Sequence, residues 1–155
     1  MSHSKEQFDR VKRMLLRIEN QDRDSNEYDD DLWSFFQNCW HLKDWIKNDS
    51  YLAPKISENI EQEVKAYEAI MICADLANRS KHLKLNNKRR GAQVVQRNVT
   101  IKMKSPIHST EETICSSECC HVISLDDGST LVAFDVAKQA VNEWEKIFRK
   151  YNIST

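Results

Sequence analysis

The chain contains little of what builds loops and linkers, since its 155 residues include only two glycines and two prolines. So few chain-breaking residues argue against a linker-rich or disordered protein, and 40% hydrophobic residues are enough for a core. A chain of this length fits one compact domain. We therefore predict a single domain over residues 1–155.

Long apolar runs are also missing. The longest, residues 69–74, is far too short to cross a bilayer, so no membrane association is predicted. The first residues lack the apolar run of a signal peptide, and cytoplasm is the expected location. The five cysteines are an odd number, and Cys39 and Cys73 lie in apolar helical patterns. Reduced thiols are therefore favoured over a secreted disulfide framework.

Hydrophobic residues recur at helical spacing in three N-terminal segments and in one C-terminal segment. We predict helices over about residues 4–20, 32–48 and 57–83, and a last helix capped by Asp135. The second helix is unusually aromatic and is expected to lie centrally. The predicted fold is mainly α, a bundle of about four helices with a small antiparallel β insertion before the last one.

The β insertion is predicted over about residues 92–134, where the spacing of apolar residues changes. Apolar and polar residues alternate over residues 98–104, which predicts a half-buried strand. Further strands are predicted at about 121–125 and 130–134. Residues 126–129 between them are typical of a hairpin turn.

Charge is distributed very unevenly along a chain whose formal net charge is only −1. Residues 76–110, here called the basic segment, hold nine Lys or Arg and no Asp or Glu. Such a segment produces a directional field, for which phosphate is the commonest partner, and RNA is the expected ligand. The alternative is an ordinary solvated turn. The residues expected to contact nucleic acid are Lys81, Lys84, Lys88, Arg89, Arg90, Lys102 and Lys104.

Four polar residues share one face at the end of the third predicted helix, spaced at i, i+3, i+4 and i+7: Asp75, Asn78, Arg79 and His82. A histidine can move protons and an arginine can hold a phosphoryl group, so this catalytic set could cleave RNA without a metal or other cofactor. The structural alternative is that cations gather at a helix C-terminus. Asp75 and Arg79 would then form an ion pair, and aspartates 29–31 would offer further partners.

An arginine followed by a histidine on a late helix of a small bundle resembles the HEPN superfamily of RNA-cleaving and defence-associated domains. Here these residues are Arg79 and His82, spaced more closely than in the family, with Asn78 as the neighbouring polar residue. The resemblance implies a homodimer in which paired Arg79 and His82 line a shared cleft. It further implies a role of a bacterial defence or toxin–antitoxin type, with a cognate antitoxin as partner.

A second resemblance, carried by residues 36–45, 74–75 and 78–83, is to a group of small uncharacterised bacterial proteins. It supports homology but does not indicate an activity. The alternative function is a non-enzymatic protein-interaction module, in which the aromatic second helix and the amphipathic last helix pack a core, the polar face of the third helix is structural and the charge asymmetry serves partner docking.

Two other polar groups have structural explanations. His41 and Asp44 form a pair on the second helix, for which a structural hydrogen bond is favoured. A later segment contains zinc-ligand residue types: Cys115, Cys119, Cys120 and His121. Because it has no C-x-x-C pair, no metal site is predicted. The common nucleotide, protease and hydrolase motifs do not occur.

Overall fold

A computed structural model describes residues 2–81, 92–96, 121–125 and 127–154. Within these residues the chain forms five α-helices, with a small antiparallel sheet before the last one. The predicted fold class, a mainly helical bundle with a β insertion, is therefore confirmed.

The helices are α1 (His3–Glu19), α2 (Asn26–Asn48), α3 (Pro54–Glu63), α4 (Glu68–Lys81) and α5 (Ala133–Lys150). The strands are β1 (Ala92–Gln96), β2 (Val122–Leu125) and β3 (Thr130–Val132). They form one sheet in the order β1-β2-β3, and both neighbouring pairs are antiparallel.

The third predicted helix is in fact two helices. A short 3-10 turn, Val64–Ala66, and the extended residue Tyr67 (φ −115°, ψ 109°) separate α3 from α4. The break is stabilised by Glu143 of α5, whose carboxylate accepts hydrogen bonds from the N–H groups of Ala69 (3.3 Å) and Ile70 (3.0 Å). Apolar residues continue at helical spacing through the break, which is why the sequence predicted one helix.

Two helix starts also differ from the predictions. α2 begins at Asn26, earlier than Leu32, because Ser25 caps it and accepts a hydrogen bond from the N–H of Tyr28 (3.1 Å). In α5, Asp135 lies in the first turn and the cap position belongs to Val132. A carboxylate in the first turn still interacts favourably with the helix dipole.

The predicted hairpin is confirmed, with Val122 opposite Val132 and a turn that contains Gly128. Gly128 has φ +83°, a conformation that a residue with a side chain adopts only under strain. β1 pairs with β2 and begins where the insertion was predicted to begin. The predicted strand at 98–104 lies outside the described residues.

The core lies between the helices, and α2 is central, as its aromatic composition predicted, because it contacts α1, α3, α4 and α5. The largest fully buried side chains include Phe8, Phe35, Phe36, Trp144 and Phe148. The indole N–H of Trp144 donates to the carbonyl oxygen of Cys39 (3.0 Å), so this buried polar atom is satisfied.

Replacement of Glu143 by Ala should destabilise the protein by about 2 kcal/mol, because two buried N–H groups of α4 would lose their acceptor. Glu143→Gln should lose less, since its amide oxygen can still accept. Urea unfolding measures the difference. The matched control is Glu145→Ala, which removes a surface carboxylate two residues along α5 and should change stability by less than about 0.5 kcal/mol. An equal loss in both Ala variants would contradict a specific role for Glu143.

Candidate functional site

The predicted catalytic set lies at the C-terminal end of α4, and the structure describes three of its four side chains. Asp75 is fully buried, whereas Asn78 and Arg79 are half-buried. Asp75 is enclosed by protein and can influence a ligand only through other side chains. His82 lies outside the described residues, and so does the side chain of Lys81.

Arg79 makes no ion pair with any carboxylate in the part of the chain that the structure describes. The i,i+4 pair with Asp75, which was the structural alternative, is therefore not formed. A half-buried guanidinium without a carboxylate partner keeps its donors for another anion, and its planar fork suits a phosphate.

The acidic run at the start of α2 was the other expected partner of Arg79, and two of its three carboxylates, those of Asp29 and Asp31, are engaged elsewhere. Asp29 Oδ1 lies 3.0 Å from Nε2 of His121. Asp31 forms a bidentate pair with Arg17, at 2.9 and 2.7 Å. These contacts connect α2 to the sheet and to α1, so the run has a structural role that does not involve Arg79.

His121 is a buried histidine whose contacts are structural. Its ring packs on Tyr28 with centroids 5.1 Å apart, and its carbonyl oxygen accepts from the N–H of Ala133 at the start of α5 (2.8 Å). Nδ1 has no hydrogen-bond partner among the described residues. The three nearby cysteines, 115, 119 and 120, lie outside them. In the described part, no group of three or more His, Cys, Asp or Glu could hold a metal ion.

The remaining predicted nucleic-acid contacts cannot be placed. Those residues, Lys84, Lys88, Arg89, Arg90, Lys102 and Lys104, lie outside the described ranges. Of the basic segment, the structure therefore describes only the end of α4, which carries Arg79, and the backbone of β1.

A second site, the α1–α2 groove, lies between the start of α1 and the end of α2. Its volume is about 520 Å³, and its lining residues are His3, His41, Asp44, Trp45, Asn48 and Asp49. The α2 residues from His41 to Asn48 are spaced at i, i+3, i+4 and i+7, so they share one face. The sequence singled out His41 and Asp44, but the other four were missed, although the same spacing could have found Trp45 and Asn48.

Asp49 forms the base of the α1–α2 groove and holds α1. Its Oδ2 accepts hydrogen bonds from Ser2 Oγ (2.6 Å), Ser4 N–H (2.8 Å) and Ser4 Oγ (2.7 Å), while Oδ1 accepts from the N–H of Tyr51 (3.0 Å). Burial alone would raise the pKa of Asp49, but these hydrogen bonds outweigh it and lower the pKa to about 2. The carboxylate is therefore ionised and saturated with donors.

Asp44 differs from Asp49 because part of its carboxylate has no partner. Lys43 Nζ lies 2.6 Å from Asp44 Oδ1 and 3.1 Å from Glu61, and 4.8 Å above the ring of Trp40. Asp44 Oδ2 makes no hydrogen bond within the described ranges. The side chain of Asp44 is 47% exposed. One oxygen is thus anchored, while the other can accept from a ligand.

One aromatic side chain, Trp45, lines the α1–α2 groove, and Tyr51 lies next to it in contact with His3. Trp45 is 39% exposed and Tyr51 is 66% exposed, whereas Trp40 and Trp144 are buried. The ring of His3 meets Tyr51 edge-on, with centroids 5.7 Å apart. Exposed aromatic side chains at a cavity are typical of binding sites.

A second cavity of about 560 Å³ lies where the start of α4, the β2–β3 turn and the start of α5 meet. It is lined by four carboxylates: Glu68, Asp127, Asp135 and Glu143. Three of them have protein partners: Asp127 accepts from Ser129, Asp135 pairs with Lys138 (3.2 Å), and Glu143 holds α4. Hydrogen bonds from Ser129 lower the pKa of Asp127. The acids of this cavity therefore stabilise the fold.

Comparisons with protein-family models, with curated proteins and with solved structures found no match. Among the helices that are described, none is both long and apolar enough to cross a bilayer. The functional inferences below therefore depend on the geometry and charge of this chain.

Acid should weaken the cap that Asp49 forms. Because the folded pKa of about 2 lies below the value of about 3.9 in an unfolded chain, the stabilisation is complete above about pH 4. It is lost as the pH falls through about 2, and a shift of this size corresponds to roughly 2–3 kcal/mol. Urea unfolding of the protein and of Asp49→Asn should differ near pH 6 and converge near pH 2. A difference that stays constant with pH would contradict this assignment.

Proposed function

We propose that the protein binds RNA through the basic segment, residues 76–110, and cleaves it without a metal by means of Arg79 and His82. The observation that carries the proposal is that half-buried Arg79, at the point where this segment begins, has no carboxylate partner among the described residues. The 120 residues outside the segment hold 14 Lys or Arg against 24 Asp or Glu, a net formal charge of −10. RNA is repelled by that acidic remainder and attracted to the basic segment.

The chemistry follows from the two side chains. His82 accepts the proton of a ribose 2′-hydroxyl, whose oxygen attacks the adjacent phosphorus. Arg79 stabilises the charge that develops on the pentacoordinate phosphorus, and the 5′-oxygen leaves with a proton from a second acid. In a homodimer, the partner's His82 supplies that proton. Asn78 and the buried Asp75 position this end of α4.

The wider setting belongs to the same proposal. The resemblance of residues 78–82 to the HEPN pattern supports a cytoplasmic homodimer of a bacterial defence or toxin–antitoxin type. A cognate antitoxin would then cover the basic segment, because an acidic protein surface competes with RNA for the same field.

A second candidate function, a non-enzymatic protein-interaction module, is favoured by the α1–α2 groove. Trp45, which lines this groove, is 39% exposed, whereas Trp144 is fully buried. Exposed tryptophans are enriched among the residues that dominate protein–protein binding. This candidate assigns the α4 polar face a structural role.

Cleavage of single-stranded RNA in EDTA tests the catalytic proposal. The purified protein should cleave, His82→Ala should lose activity, and Arg79→Ala should lower the rate by about 10²–10³-fold. The control Lys12→Ala removes a cation that already pairs with Asp9 (2.8 Å), and should cleave as the unmodified protein does. Undiminished cleavage by His82→Ala would remove it as the proton carrier. If Arg79→Ala or His82→Ala instead lowers the melting temperature, the structural role is favoured.

RNA affinity should fall steeply with salt, because each phosphate contact releases bound counterions. Replacing Arg89 and Arg90 by Ala should reduce the slope of log K against log salt by about 1.4 for single-stranded RNA. The matched control replaces Lys55 and Lys146, two exposed lysines outside the basic segment, and should leave the slope unchanged. A flat salt response of the unmodified protein would contradict polyanion binding.

A further inference from the structure

We propose that the α1–α2 groove binds an arginine side chain carried by a segment of a partner protein. The inference deepens the interaction-module candidate and does not depend on RNA binding. It follows from three properties of the groove: an exposed aromatic face, acceptor oxygens without a partner among the described residues, and two carboxylates in a lining that contains no Lys or Arg.

The aromatic face is provided by Trp45. Its 39% exposure contrasts with 5% for Trp40 and 0% for Trp144, so the indole is available to a ligand. A guanidinium stacks on such a ring through its planar π system and is attracted by the negative face of the ring. Lysine already makes this kind of contact nearby, since Lys43 lies above Trp40.

Two side chains that line the groove have an acceptor oxygen without a partner among the described residues. Asp44 Oδ2 has no partner among the described side chains and backbone groups. Asn48 uses its amide nitrogen on the carbonyl oxygen of Asp44 (2.8 Å), which leaves its side-chain oxygen. A guanidinium has five donors and no acceptor, and therefore complements these groups better than a phosphate or carboxylate would.

The charges of the lining residues also favour a cationic ligand. Asp44 and Asp49 both line the α1–α2 groove, and none of the six lining residues is Lys or Arg. Lys43, which pairs with Asp44, is shared with Glu61 and does not line the groove. An anionic ligand would meet two carboxylates here, whereas a cation is attracted.

The size of the groove indicates more than one functional group. A volume of about 520 Å³ is that of a site for a ligand much larger than a single guanidinium. Neighbouring residues of a peptide chain would fill the remaining space against His3, whose ring contacts the exposed ring of Tyr51. The occupant is therefore an arginine within a protein segment.

Calorimetric titration of the full chain with two peptides tests this proposal. One is acetyl-Gly-Ser-Arg-Ser-Gly-amide, and the other carries citrulline, a neutral isostere, in place of arginine. The arginine peptide should bind at least about tenfold more tightly than the citrulline peptide. Asp44→Asn and Trp45→Leu should each weaken binding of the arginine peptide about tenfold.

Glu61→Gln is the matched control because Glu61 is the other carboxylate on Lys43 and lies outside the α1–α2 groove. This variant should bind the arginine peptide as tightly as the unmodified protein does. Because it changes the environment of Lys43 without removing a groove residue, it distinguishes an indirect effect through Lys43 from the loss of a contact with the peptide. Urea unfolding of each variant confirms that the fold is retained.

Several results would overturn the proposal: no binding of the arginine peptide at about 10 mM, equal binding of both peptides, or full affinity in Asp44→Asn. Free arginine that binds as tightly as the peptide would also overturn it, since the occupant would then be a small molecule. If the arginine peptide binds but RNA does not, only the RNA function is contradicted. If RNA binds but the arginine peptide does not, only the proposal for the groove is contradicted.

Discussion

The arrangement of the helices depends on a buried carboxylate at the start of α4. Glu143 is 5% exposed, and a carboxyl group so deeply buried is unfavourable unless it is hydrogen-bonded. The free N–H groups of Ala69 and Ile70 satisfy it, and the positive end of the helix dipole adds to the attraction. This interaction allows α4 to begin as a separate helix, with Asp75 inside and Arg79 at the surface end.

A buried carboxylate also binds the start of α1, and this one, Asp49, lines the α1–α2 groove. Asp49 is saturated by donors from the first turn of α1 and from Tyr51, so it fixes the two walls of the groove without being open to a ligand. Asp44, which also lines the groove, has one oxygen without a partner among the described residues, because Lys43 engages only the other. Two carboxylates five residues apart thus have different roles.

Much of the fold was predictable because it depends on local patterns. α1 and the end of α2 lie within a residue of their predicted bounds, since amphipathic periodicity reports which face of a helix is buried. The hairpin around Gly128 was also predictable, because turn residues between two β-type segments act locally. The break after Glu63 was not, because the apolar spacing continues through it and its stabilising carboxylate lies in another helix.

The sequence by itself determined the helical class and the segregation of charge, since both are properties of neighbouring residues or of composition. Only the tertiary structure decided which polar groups meet. Asp29 pairs with His121, 92 residues away, and Glu143 pairs with the backbone of Ile70, 73 residues away. Such contacts depend on how several helices pack at once, and hydrophobic periodicity carries no information about that packing.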